Sequence, residues 1–190
     1  MWAVVGLGNP GKHYAATRHN VGFTVVKQLA RAWKVKLRKR KYSAKAAEVE
    51  REGKKVLLAL PQTYMNRSGY AVREILDGTG ISPEQMVVVY DDLDIPLGEI
   101  RVRKEGGPGT HKGVNSIVQE IETTAFPRIR VGIGPVAPDW EAADFVLSPF
   151  EENEKALLEQ SLKNAQEALE LILAGKIDEA MNSFNQKGLA

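Results

Sequence analysis

The sequence predicts an α/β domain, a mixed β-sheet flanked by helices, and three observations lead there. Short β-rich runs alternate with segments of helical periodicity along the chain. The run Met86-Val87-Val88-Val89-Tyr90 is apolar without interruption, the pattern of a central strand covered on both faces. The 190 residues contain no internal repeat, linker or low-complexity block, so they fit one domain spanning 1–190 with a core that needs no staples.

The elements follow in order. Ala3–Val5 reads as a buried strand, and Val21–Trp33 as a helix with Val21, Val25, Leu29 and Trp33 at helical spacing. Strand candidates come next around Lys36–Tyr42, Ala44–Arg51 and Val56–Leu60, followed by a helix over Asn66–Leu76 with Ala71, Ile75 and Leu76 inward. The Met86–Tyr90 strand ends in Asp91-Asp92. Glu99–Lys104 alternates, with Ile100 and Val102 on one face and Arg101 and Arg103 on the other. A helix over Lys112–Ile121 follows the glycine loop 106–109, and Arg128–Ile133 is a further strand. Two helices, roughly 150–174 and 177–184, close the chain on either side of Gly175.

Charge is unevenly spread. The net charge is +2, yet residues 1–47 hold 11 Lys or Arg and no acid, and the first acid is Glu48. The remaining residues carry 15 bases against 24 acids. Such asymmetry suggests a basic face for a polyanion. The absence of cysteine excludes disulfides and thiolate metal sites. No apolar stretch approaches the roughly 20 residues that span a bilayer, and no secretory signal opens the chain, so a cytoplasmic protein without membrane contact is expected.

Two familiar phosphate motifs fail at the first loop. Gly6-Leu7-Gly8-Asn9-Pro10-Gly11 follows a strand as a dinucleotide fingerprint does. It lacks an acid about 20 residues on, and Pro10 removes an N–H from the turn. As a P-loop, Gly6 to Lys12 is followed by His13 where Mg²⁺ requires Ser or Thr. Four polar residues survive as a candidate set: Asn9, His19, Asn66 and Asp91, each expected in a loop beside a strand end. His19 at a helix start faces a positive dipole end, which favours the neutral imidazole that a general base requires. Asp91 could fix its tautomer. Each also has a plainer role: Asn9 in a turn, His19-Asn20 as an N-cap pair, Asn66 capping its own helix, Asp91 capping a strand end. No G-x-S-x-G elbow and no His spacing suited to a metal is present, so no metal or cofactor is expected and water would be activated directly.

At these residues the chain resembles bacterial-type peptidyl-tRNA hydrolases. The matching stretches are Val5-Gly6-Leu7-Gly8-Asn9-Pro10-Gly11, Tyr14-Ala15-Ala16-Thr17-Arg18-His19-Asn20-Val21-Gly22, Pro61-Gln62-Thr63-Tyr64-Met65-Asn66-Arg67-Ser68-Gly69, Tyr90-Asp91-Asp92-Leu93-Asp94-Ile95-Pro96 and Arg128-Ile129-Arg130-Val131-Gly132-Ile133-Gly134. The resemblance implies a monomeric enzyme with a twisted mixed sheet. It would cleave the ester between a peptide and the 3′-terminal ribose of tRNA, so that tRNA is recycled. It further implies His19 as base, Asp91 as its partner, and Asn9 and Asn66 holding the scissile region and terminal nucleotide. Tyr14 and Met65 would line the cleft, and Arg103 and Arg130 would clamp phosphates.

One segment departs from the family pattern Gly-Gly-His-Asn-Gly-Leu-Lys. Here it reads Gly109-Thr110-His111-Lys112-Gly113-Val114-Asn115, which puts Lys112 where a substrate-binding Asn is usual. Lys112 is therefore expected to contact a phosphate or the peptide carbonyl, and His111 to cap the loop. Two other functions remain open on sequence alone: a non-enzymatic RNA-binding protein of the same fold, and an esterase without an RNA partner. The intact His19, Asp91, Asn9 and Asn66 argue against the first, and the basic first quarter against the second.

Overall fold

Strand β1 (Trp2–Gly6) lies at the centre of a computed structural model that describes residues 1–185, the side chains of Lys39 and Arg40 excepted. The other strands are β2 (Lys39–Lys41), β3 (Ala44–Arg51), β4 (Lys54–Pro61), β5 (Met86–Pro96), β6 (Ile100–Arg103) and β7 (Arg128–Gly134). They form one seven-stranded sheet in the order β2-β3-β4-β1-β5-β7-β6. The pairs β4-β1, β1-β5 and β5-β7 are parallel and the remaining three antiparallel, so the sheet is mixed.

Helices cover both faces. On one side α1 (Val21–Ala32), α5 (Lys155–Leu173) and α6 (Ile177–Phe184) pack against Val4, Val56, Leu58, Val87 and Val89. On the other, α2 (Ser68–Thr79) and α3 (Lys112–Ile121) cover Ala3, Val5, Leu57, Met86 and Val88. Successive β5 residues thus enter opposite cores, which explains their unbroken apolar run. The short helix α4 (Ala142–Val146) stands between β7 and α5. No helix among the described residues is long and apolar enough to cross a membrane.

Several boundaries move. The strand expected over Lys36–Tyr42 shrinks to three residues at the sheet margin. The helix expected from Asn66 begins at Ser68, after a 3-10 turn over Met65–Arg67. The helix expected from 150 begins at Lys155, because Glu151 and Glu154 cap a 3-10 turn ahead of it. Helix α4 had no counterpart in the sequence reading, since five residues are too few to show a helical period. Strand β5 continues six residues past Tyr90, so Asp91 lies inside a strand rather than in the loop after it.

Strand β1 feeds α1 on one face, while α3, which follows β5 and β6, lies on the other, and a crevice opens at the carboxyl ends of β1 and β5. The start of α1 is pressed into that crevice. The Phe23 N–H donates to the Leu7 carbonyl at 3.1 Å, and the Leu7 N–H to the Val89 carbonyl at 2.9 Å. A Cβ on Gly22 would sit 2.3 Å from the Val89 carbonyl oxygen and 2.7 Å from backbone atoms of Leu7. Only glycine permits this approach. Gly22→Ala is expected to lower the unfolding free energy by about 1–3 kcal/mol, read as a reduced urea midpoint at unchanged slope.

Candidate active site

The crevice continues outward as a cleft of 710 Å³. One lip is the loop after β1. There the glycines turn the chain back, and the segment Arg18–Asn20 forms a 3-10 turn that leads into α1. Asn20 does not cap that helix with its side chain, as the His19-Asn20 pair suggested. Instead it clasps the loop: Asn20 Oδ1 accepts the Asn9 N–H and Asn20 Nδ2 donates to the Asn9 carbonyl, both at 2.9 Å. The Asn9 side chain reaches the next lip, its Oδ1 accepting the Met65 N–H at 2.7 Å. A left-handed φ of 64° at Tyr64 kinks the backbone immediately before that N–H. With Oδ1 engaged, Asn9 keeps its Nδ2 donors for the cleft that it lines.

Asp91 is buried at the floor. His19 Nδ1 lies 2.9 Å from each of its two carboxylate oxygens, and His111 Nε2 lies 2.9 Å from Oδ1. His111 also receives the Val114 N–H on its Nδ1 at 3.3 Å, so its Nε2 carries the proton given to Asp91. His111 is therefore both the cap of α3 and a second donor to the carboxylate, a role beyond the loop cap expected of it. Burial alone would push the Asp91 carboxyl up. The electrostatic pull and hydrogen bond of His111, followed by the hydrogen bond and electrostatic pull of His19, outweigh this and hold it well below the usual carboxylate range. With Asp91 ionised, His19 donates from Nδ1, which leaves the Nε2 lone pair without a protein partner among the described residues.

The ligand-type atoms of His19, Asp91 and His111 lie within 4.8 Å of one another. Their protonation does not suit a resident cation. A metal on His111 Nε2 would place the ring proton on Nδ1, against the Val114 N–H. A metal on His19 Nδ1 would likewise protonate Nε2. The trio fits a proton network.

The other expected residues are distributed as follows. Met65 and Asn66 line the cleft from the turn after β4, Met65 buried and Asn66 exposed. Lys112 lines it as the exposed first residue of α3, with no salt bridge among the described residues. Arg103 lines it too, its guanidinium bonded among the described residues only to the Val102 carbonyl at 3.2 Å. Arg130 is in the lining, but its Nε is held by Asp92 at 2.7 Å. Tyr14 does not line the cleft. It ends the preceding 3-10 turn, half-buried, where its carbonyl accepts the Thr17 hydroxyl at 2.8 Å. The buried Arg128 holds the glycine loop through the Gly107 and Thr124 carbonyls. The opposite wall is apolar and was absent from the sequence reading: Ala142, Ala143 and Val146 of α4, with Leu147.

Comparison with known proteins places these features in context. Residues 3–190 match the family described as peptidyl-tRNA hydrolase. A peptidyl-tRNA hydrolase of Alkaliphilus metalliredigens is 44% identical over 186 residues, covering 97% of this chain and all of that one. One of Bacillus subtilis is 42% identical over 187 residues, covering 98% of this chain and all of the relative. The crystal structure of peptidyl-tRNA hydrolase from Acinetobacter baumannii superposes with a TM-score of 0.90 at 38% identity, covering 96% of this chain and 93% of that one.

Because the Asp91 carboxyl is held below its unfolded value, its contribution to stability is full above the usual Asp range, begins to be lost as pH falls through that range and continues to fall toward the lower folded value. The stability margin of the wild type over Asp91→Asn should therefore shrink between about pH 5 and pH 3, measured by parallel urea melts.

Proposed function

The chain belongs to the peptidyl-tRNA hydrolase family, and from that membership we propose that it hydrolyses the ester joining a peptide to the 3′-terminal ribose of tRNA, with His19 as general base. The observation that carries the mechanism is the His19–Asp91 contact. A buried, ionised carboxylate accepts a hydrogen bond from the Nδ1–H of the imidazole and so leaves Nε2 ready to accept a proton.

Water held at Nε2 loses a proton to it as its oxygen bonds to the ester carbonyl carbon. Asp91 stabilises the imidazolium that forms. The oxyanion needs donors aimed at it, and the Asn9 amide, fixed by its bonds to Asn20 and Met65, is the group this cleft supplies. Collapse of the tetrahedral adduct breaks the bond to the ribose oxygen, which takes the proton back from Nε2. The products are a free peptide carboxyl and a tRNA with a free 3′-terminal hydroxyl, available again for charging. Each proton transfer is served by His19 and Asp91, so the reading calls for no cofactor.

Asn66 and Met65 face the position of the terminal nucleotide. Lys112 and Arg103 offer charge to phosphates, while Arg130 does so only in exchange for Asp92. Phosphate contacts of this kind give affinity without sequence choice, as an enzyme accepting many tRNAs requires. The substrate is a by-product of translation, and this places the enzyme in the cytoplasm.

The test is cleavage of N-acetylated aminoacyl-tRNA beside the unblocked ester. The expected outcome is hydrolysis of the blocked ester, with His19→Ala reducing kcat/KM by about 10²–10⁴-fold while tRNA binding persists. Binding without turnover in the wild type would favour the RNA-binding alternative instead. For Lys112→Asn, KM should rise and the slope of log KM against log salt should fall by about one, the signature of a single lost phosphate contact.

A further inference from the structure

Arg18 precedes the proposed base in the chain, yet the polar and aromatic partners of its side chain all lie more than 120 positions away. Its two terminal nitrogens donate to the two Glu154 oxygens at 2.8 and 2.7 Å, and its Nε donates to the Ser148 hydroxyl at 3.1 Å. The guanidinium lies over the Phe145 ring at 4.4 Å and the Phe150 ring at 4.9 Å. It is 4% exposed. All of its side-chain partners belong to 145–154, the segment that joins the apolar cleft wall to α5. The backbone repeats the attachment: the Arg18 N–H donates to the Ser148 carbonyl at 3.0 Å, and Thr17 bridges Pro149.

We propose that Arg18 is a positioning residue for the hydrolysis, one that sets the wall formed by α4 and Leu147 at its working distance from His19. The proposal rests on the preceding assignment of the cleft as the substrate site. His19 itself is anchored by groups that do not involve the Arg18 side chain. Asn20 clasps Asn9, the Thr17 hydroxyl bonds the Tyr14 carbonyl, the Thr24 hydroxyl bonds the Asn20 carbonyl, and Asp91 holds the imidazole. Loss of the guanidinium therefore loosens the wall and leaves the base in place. The wall presents side chains without charge or hydrogen-bonding groups, so it holds an uncharged part of the substrate, equally in the ground and transition states. Such contacts appear in KM and not in kcat.

Lysine keeps the charge at position 18 but cannot make the planar fork to Glu154, the Ser148 bond and the aromatic sandwich together. Steady-state kinetics of Arg18→Lys on N-acetylated aminoacyl-tRNA should show KM raised about tenfold with kcat within about twofold of wild type. Glu154→Gln, on the wall side of the contact, should shift KM in the same direction by about threefold with kcat again held. It keeps the proposal testable if Arg18→Lys fails to fold. A fall in kcat at constant KM would overturn the proposal, since Arg18 would then act on His19. So would unchanged KM and kcat accompanied by a lower urea midpoint, which is the result of a purely structural ion pair. His19→Ala, assayed alongside, separates the two claims: undiminished turnover there removes the base assignment, while the Arg18 proposal is decided by KM.

Discussion

A single buried carboxylate ties together the two histidines at the floor of the cleft. Asp91 sits at the end of the sheet where β1 has already turned away, and it receives hydrogen bonds from His19 on one lip and His111 on the other. A carboxylate taken from water into such a place costs several kcal/mol unless donors replace its hydration. Two imidazole N–H groups do so here. The same bonds hold the 3-10 turn before α1 and the cap of α3 in fixed relation, so the interaction that stabilises the charge also sets the shape of the cleft. Removal of either imidazole leaves a partly satisfied buried charge, and the lips lose their common reference point.

The fold class was legible because both faces of the sheet are covered and strands alternate with helices at clear spacing. Asp91, Asn9, Asn66 and His19 were legible as chemistry-bearing groups at the ends of elements. That Asp91 stands within β5 was not, because a strand beyond the end of its neighbour no longer needs apolar residues on both faces and so drops its hydrophobic pattern. His111 was read only as a cap, since its second bond depends on α3 approaching β5 from more than one element away. Asn20 offered its position beside His19 as the only signal. Tyr14 was placed in the cleft by resemblance, whereas it stands outside the residues that line the cleft.

Charge was legible as a total and illegible as a placement. Eleven cations in the first 47 residues suggest one basic face, yet Arg18 among them is buried and neutralised by Glu154. The reverse holds at the cleft, where Lys112 and Arg103 come from the acidic remainder of the chain. Arg130 is half-neutralised by Asp92, so what it offers a phosphate is an exchange of partners. The field near the site is therefore made by few groups, each with a separate local reason for its availability.

The alternation of β5 between two cores has a bearing on how this chain can vary over evolutionary time. Odd-numbered Val87, Val89 and Asp91 share one side, and even-numbered Met86, Val88 and Tyr90 the other. Substitutions along the strand act in proportion to the volume or polarity they change. Gain of one residue between Met86 and Asp91 inverts parity and brings the Tyr90 phenol, in place of a carboxylate, to the position where His19 finds its partner. Loops around the cleft can lengthen or shorten freely by comparison. The spacing from the strand's first apolar residue to its acid is a count that cannot grow by one without costing His19 its carboxylate.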